Sequence, residues 1–141
     1  MYKKTVKYTD YNGIDREEDF YFSLSEAELT EMQVSTPGGY NNMIDQITKT
    51  KDVSGLISIV KDLVIKSFGV KSEDGRRFIK KPELVEEFME TPAYSNFYMS
   101  LITDEKEMAA FINNIIPSNL MAKMNNIKNE NSTVTTLPSN T

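Results

Sequence analysis

The side chains that could do chemistry in this sequence are restricted from the outset. The chain has 141 residues and contains no Cys, no His and no Trp. That excludes disulfides, thiolate nucleophiles and histidine-assisted triads, and it leaves zinc with carboxylate ligands only. Carboxylate, Lys, Ser, Thr and Tyr chemistry remain. The densest polar cluster is Glu73-Asp74-Gly75-Arg76-Arg77, inside FGVKSEDGRRFIKKPELVEEF (Phe68 to Phe88). Two chemistries would need such a cluster: a phosphate cradle or an acidic metal loop. A phosphate loop requires G-x-x-x-x-G-K-S/T, which is absent. An EF-hand loop requires alternating acidic ligands around a fixed Gly and a Glu six positions beyond it, also absent. Asp74-Gly75 is a tight-turn dipeptide between the strand-forming residues Val70, Phe78 and Ile79, so the cluster reads as a solvated connection. A polar contact with a partner is the alternative.

The other chemical candidates are weaker. Glu105-Lys106-Glu107 and Arg16-Glu17-Glu18-Asp19 bring acids close together. Acid–base work needs burial to push two such pKa values apart. One group sits at a helix start and the other on the polar side of a strand, where carboxylates stay solvated. Thr36-Pro37-Gly38-Gly39 before a helix could offer amides to an anion, but a lone Gly pair reads first as a loop. No catalytic, cofactor-binding or metal-binding residue is assigned, and no enzyme activity is expected. The remaining candidates are apolar. Aromatic and Met side chains are favoured where a surface holds a partner. The last two helical stripes are rich in them, so Tyr94, Tyr98, Phe111 and Ile115 are the candidate partner-binding residues, with core packing as the competing explanation.

The elements that must position these residues follow from periodicity. Residues 2 to 10 and 14 to 24 alternate, with Tyr2, Val6 and Tyr8 on one side and Ile14, Phe20, Phe22 and Leu24 forming the second apolar set. Asp10-Tyr11-Asn12-Gly13 between them marks a β-hairpin. Cross-strand neighbours share a face, and both apolar sets carry even numbers, so paired positions sum to an even number. A two-residue Asn12-Gly13 loop gives 25 and sets Val6 against Asp19. A three-residue loop, Tyr11 to Gly13, gives 24, sets Lys7 against Glu17 and puts Gly13 in a left-handed bulge position. The second register is expected.

Ser25-Glu26-Ala27-Glu28 is a capping box opening a short helix that ends before Thr36. Asn41 or Asn42 is expected to cap a second helix through Met43, Ile44 and Ile47. Residues 53 to 68 carry the most apolar helix, marked by Leu56, Ile57, Val60, Leu63 and Val64, with Gly69 as its C-terminal stop. Pro82 fits the first turn of the next helix, and Thr91-Pro92 separates it from the Tyr94–Ile102 stripe. Thr103 is expected to cap a last helix carrying Met108, Phe111, Ile112, Ile115 and Ile116, which Pro117 ends. The fold class is therefore α+β: an N-terminal β-hairpin followed by a compact bundle of about five or six short helices, with a small hairpin or extended turn around Asp74-Gly75.

Composition divides the chain at Pro117. Residues 1–117 read as one folded domain. Residues 118–141 are rich in Asn, Ser and Thr; Leu120, Met121 and Met124 support at most another helical turn, and the rest is expected to be a flexible tail. The hydrophobic share is 39%, the charged share 26% and the net charge −5. An acidic chain lacks the basic patch that general nucleic-acid binding needs. No apolar run nears membrane-spanning length, and the start leads into no apolar signal region. A soluble, cytosolic protein without membrane or nucleic-acid partners is the expectation.

Three blocks of sequence resemble a known family. YTDYNGIDREEDFYFSLSEAELTEM (Tyr8 to Met32) resembles the opening of tail assembly chaperones from long-tailed phages of Gram-positive hosts, with its D-[FY]-N-G turn, E-x-F-x-F-x-L strand and S-x-A-E-L helix start. Lys66 to Leu101 is similar to the same family's middle signature, and AAFINNIIP (Ala109 to Pro117) to its closing helix. The resemblance covers most of residues 5 to 117. It implies a non-enzymatic protein of the host bacterial cytoplasm that coats the tape-measure protein, keeps it soluble, helps recruit the major tail tube protein, and is absent from the mature virion. Association with a second copy of the chain stays open. Two other classes stay open too: a structural tail or head–tail joining protein retained in the particle, and an adaptor or inhibitor aimed at a host protein.

Overall fold

A computed structural model describes residues 1–50 and 52–116, with Ile47 and Thr48 described by their backbone alone. Two strands, β1 (Tyr2–Thr9) and β2 (Asp15–Phe22), open the chain. They pair antiparallel with Lys7 opposite Glu17 and Tyr2 opposite Phe22. This is the three-residue-loop register, and Gly13 takes φ 79 as the bulge requires. The core side of the hairpin carries Tyr2, Val6, Phe20 and Phe22. Asp15, Glu17 and Asp19 line up with Lys3, Thr5, Lys7 and Thr9 on the solvent side.

Helix α1 (Glu26–Ser35) starts on the expected capping box: the Ser25 hydroxyl accepts from the Glu28 N–H, and the Glu28 carboxylate accepts from the Ser25 N–H. Helix α2 (Tyr40–Thr50) starts one residue before Asn41, so Asn41 and Asn42 lie within its first turn and do not cap it. Helix α3 (Val53–Ser67) buries Ile59, Val60, Leu63 and Val64 and is the central helix expected from its apolar content. It does not stop on a left-handed Gly69. Phe68 caps it in extended geometry and passes directly into strand β3 (Phe68–Lys71). Gly69 is required for a different reason. A Cβ there would lie 2.6 to 2.9 Å from ring carbons of Phe78, which lies across its strand.

Strand β4 (Phe78–Ile79) completes a hairpin with β3 around Asp74-Gly75. The sequence did not indicate that β3 also pairs with β2, through Tyr21 opposite Gly69 and Phe22 opposite Phe68. The two hairpins therefore form one four-stranded antiparallel sheet in the order β1-β2-β3-β4. Helix α4 (Pro82–Met89) has Pro82 in its first turn. Helix α5 (Pro92–Thr103) is capped by Thr91, and helix α6 (Glu105–Ile115) by Asp104, whose carboxylate accepts from the Lys106 and Glu107 N–H groups. Thr103 is not that cap; its hydroxyl donates to the Met99 carbonyl inside α5. A hairpin followed by helices, mixed α+β, is the architecture that the alternating and helical periods predicted.

The core lies between the sheet and the helices, with Phe22 at its centre. Phe22 is fully buried, stacked on Phe97 at 4.8 Å and met edge-on by Phe68, Phe88 and Phe111 at 5.6 to 5.9 Å. Leu24, at the end of the same strand face, donates its N–H to the Ile115 carbonyl at 2.9 Å, which ties the start of the chain to its last described helix. Pro117, the helical turn expected at Leu120 to Met124 and the tail expected over 118–141 lie outside the described residues.

Candidate partner-binding surface

Helix α5 carries two neighbouring apolar rows, because residues four apart lie one above the other. Ala93, Phe97 and Leu101 are buried and hold the helix to the core. Tyr94, Tyr98 and Ile102 form the next row and are half-buried. The Tyr94 and Tyr98 rings stack at 5.8 Å, and Tyr94 meets Phe88 edge-on at 5.6 Å. Burial, and then the neighbouring Tyr98, raises the Tyr94 hydroxyl above its ordinary pKa. Beyond the row, Met99 is 48% exposed. Two of the four residues chosen from sequence thus stand side by side at the margin of the core, with part of each ring in solvent.

The other two do not join them. Phe111 and Ile115 are each 1% exposed. Phe111 packs edge-on against Tyr2, Phe22 and Phe97 at 5.6 to 5.7 Å. A partner could reach neither residue without opening the fold, so both belong to the core. Half-buried apolar neighbours are Met108 and Ile112 on α6 and Ile116 just beyond its end.

Two polar fastenings tie distant parts of the fold together, and sequence reasoning missed both. Lys4 sits on the core side of β1, where only apolar residues were expected. Its ammonium lies 2.8 Å from the Glu107 carboxylate, which also accepts from the Tyr2 hydroxyl at 3.2 Å. Burial, and then the Glu107 charge, push the Tyr2 hydroxyl up to about 12. This pair joins α6 to β1; the even number of Lys4 on an apolar strand face was its only sequence signal. Lys80 is the second. Its ammonium donates to the Ser23 carbonyl at 2.6 Å and to both Glu28 oxygens at 2.7 and 2.8 Å. Burial alone would raise Glu28, but Lys80 and Ser25 outweigh it and hold the carboxyl below its ordinary value.

The chemical candidates resolve as connections. Gly75 takes φ 74, and the Asp74 carboxylate accepts from the Arg76 N–H at 3.0 Å and the Ser72 hydroxyl at 2.8 Å. Those hydrogen bonds, the Arg76 N–H foremost, hold Asp74 below the usual carboxylate range. The turn's acid is occupied in bracing the turn itself. At the Gly38-Gly39 turn, the Gln33 side-chain carbonyl accepts from the Asn41 N–H at 3.1 Å, so the helix start already has an internal acceptor. Asp15, Glu17 and Asp19 face solvent and pair with Thr9, Lys7 and Thr5 across the hairpin. Among the described residues no group of three or more acidic side chains is placed to hold a metal ion. None of their helices is long and apolar enough to cross a membrane.

What this arrangement offers is contact area, in a domain whose polar clusters are spent on holding its own elements. No curated protein and no solved structure gives a match. The family described as phage tail assembly chaperone matches residues 1–140, beyond the limits of the three sequence blocks and across nearly the whole chain. The chain belongs to the phage tail assembly chaperone family.

Proposed function

We propose that this chaperone binds an apolar stripe on a long helix of the tape-measure protein, keeps that protein soluble in the host cytoplasm while the tail is built, and helps bring tail tube subunits to it. In this reading it is a binding protein, not an enzyme, and it is absent from the finished particle. Family membership over residues 1–140 is the observation that carries the proposal. The Tyr94–Tyr98 row supports the choice of surface. A helix laid on a protein is gripped by large side chains at helical spacing, and Tyr is among the residues that most often dominate such contacts. Phe111 and Ile115 serve this surface from behind, by holding α6 in place.

Co-expression with the tape-measure protein tests the reading. Tyr94→Ala and Tyr98→Ala are expected to leave the chaperone folded and to leave the tape-measure protein insoluble, with a loss of about 2 kcal/mol or more at the stronger position. If both folded variants keep the tape measure soluble, the surface is elsewhere. If the wild-type chain does not keep it soluble, the partner is wrong. Mass spectrometry of purified particles addresses the alternative: the chain present at stoichiometric copy number would make it a structural tail or joining protein.

A further inference from the structure

Helices α1 and α2 are fastened to each other more closely than to the rest of the domain. Between them, the Gly39 N–H donates to the Thr36 carbonyl at 2.8 Å, the Thr36 hydroxyl to the Met32 carbonyl at 2.8 Å, and the Asn41 N–H to the Gln33 side chain at 3.1 Å. Their hold on the core is small. Helix α1 buries Met32 alone, with Leu29 half-buried, and its Val34 is 80% exposed. Helix α2 buries Tyr40, with Met43 and Ile44 half-buried. Helix α3, by contrast, buries Ile59, Val60, Leu63, Val64 and Ser67. Among the described residues, no backbone hydrogen bond leads from residues 26–50 to the sheet or to α3–α6.

Two side-chain ties cross that gap. Lys80, just beyond β4, donates to both Glu28 oxygens at 2.7 and 2.8 Å. The Tyr40 hydroxyl donates to Asp62 of α3 at 3.2 Å, and the Lys66 ammonium lies 5.9 Å over the Tyr40 ring. The chain on either side of the pair is pinned. The Ser23 N–H donates to the Ser67 carbonyl at 2.8 Å, the Leu24 N–H to the Ile115 carbonyl at 2.9 Å, and Asp52 caps α3. A segment with tight internal bonds, few buried contacts and two fixed ends opens at a lower free energy than the whole domain. We propose that α1 and α2 form a strap that opens as one unit while the sheet and α3–α6 stay folded, with Lys80–Glu28 as its latch. Opening bares the side of α3 that carries Asp62 and Lys66. Ile59, 6% exposed when the strap is closed, lies three residues before Asp62 and so on the same side. The latch thus sets how much apolar surface the chain presents beyond the Tyr94–Tyr98 row. The proposal does not depend on the tape-measure reading.

Native-state amide exchange of the purified full chain, in water and in urea below the unfolding transition, tests it. Protected amides of α1 and α2 are expected to share one opening free energy and to exchange at least about tenfold faster than residues 60–64 of α3, with a weaker dependence on urea because less surface opens. Lys80→Met keeps the stem beside the Phe78 ring and removes the tie. Glu28→Gln keeps an acceptor for the Ser25 N–H and removes the charge. Each is expected to speed α1 and α2 together by roughly fivefold or more. Tyr40→Phe, made in α2, should speed α1 as well. The decisive variant lies in the body. Val6→Ala, at a buried position on β1, should speed residues 60–64 by roughly fivefold or more and leave the strap unchanged, because the body is intact in both the closed and the open state. Strap amides that slow to the rate of residues 60–64 in the wild type overturn the proposal. So does a Val6→Ala chain in which the strap speeds up as much as α3, a Lys80→Met chain whose strap keeps the wild-type rate, or any of the three strap variants that speeds one helix alone.

Discussion

Replacing Phe111 by Ala separates core from contact surface more sharply than any other single change. The ring is 1% exposed and is met edge-on by Tyr2, Phe22 and Phe97, each with its centroid 5.6 to 5.7 Å away. Truncation removes a transfer contribution of roughly 1.5–3 kcal/mol. It also leaves a cavity walled by three rings that cannot close up without breaking their own contacts. The expected cost is about 3–5 kcal/mol. A domain of this size has roughly 5–15 kcal/mol in all, so the variant should lose much of its margin and unfold at clearly lower urea. Tyr98→Ala, made at a half-buried position, should cost about 1–2 kcal/mol and retain a cooperative transition. Urea titration followed by far-ultraviolet circular dichroism measures both. If Phe111→Ala melted with the wild type, the ring would not be part of the core. If Tyr98→Ala cost as much as Phe111→Ala, the half-buried row would be structural, and its loss could no longer be read as a binding result.

Two further outcomes follow from the packing and the electrostatics. Gly69→Ala should destabilise by about 1–3 kcal/mol, because its methyl must displace the Phe78 ring; in a Phe78→Ala background the same change should be neutral or favourable, since Ala suits a strand better than Gly. A double-mutant cycle in urea that finds no coupling would refute the account. Tyr2 provides the alkaline test: its folded pKa is raised above the ordinary 10 to about 12, so its contribution to stability is intact below pH 10 and declines as pH rises through that interval. Glu107→Gln removes the charge that assists the shift and should flatten the decline between those values; a melting-temperature profile identical to the wild type's would contradict it.

The hairpin was readable because one arithmetic constraint sufficed. Both apolar sets are even-numbered, Gly13 can take φ 79, and only one loop length satisfies both. The capping box at Ser25 was readable for a similar reason: donor and acceptor lie three residues apart, and nothing distant enters. Apart from the helix caps at Asn41 or Asn42 and Thr103, which were local misplacements, sequence reasoning failed where the deciding contact was remote. Gly69 has an ordinary place as a helix stop in a one-dimensional reading, yet the actual requirement is the Phe78 ring from the neighbouring strand. Pairing of β2 with β3 joins residues more than forty positions apart, and no local pattern announces it. The Lys4–Glu107 and Lys80–Glu28 pairs are likewise long-range, and each involves a residue type that local reading assigns to solvent.

The four candidate partner-binding residues divide into two buried and two half-buried for a geometric reason. An α-helix turns by about 100° per residue, so a helix that needs only a narrow stripe to hold it can carry an apolar arc wider than that stripe. In α5 the stripe is Ala93, Phe97 and Leu101, and the excess lies to one side as Tyr94, Tyr98 and Ile102. In α6 the stripe is Phe111 and Ile115, and the excess is Ile112, continued by Ile116 at the helix cap. Periodicity reveals the arc but not where its centre points, so Tyr98 and Phe111 look alike in sequence. The fold distinguishes them by what lies opposite. Phe111 faces Phe22, already at the centre of the domain, whereas Tyr98 packs against the core's margin, half-buried, with its ring stacked on Tyr94. In the proposed reading the binding surface needs no separate pocket: it would be the unburied margin of the core, held rigid by buried residues such as Phe97 and Phe111.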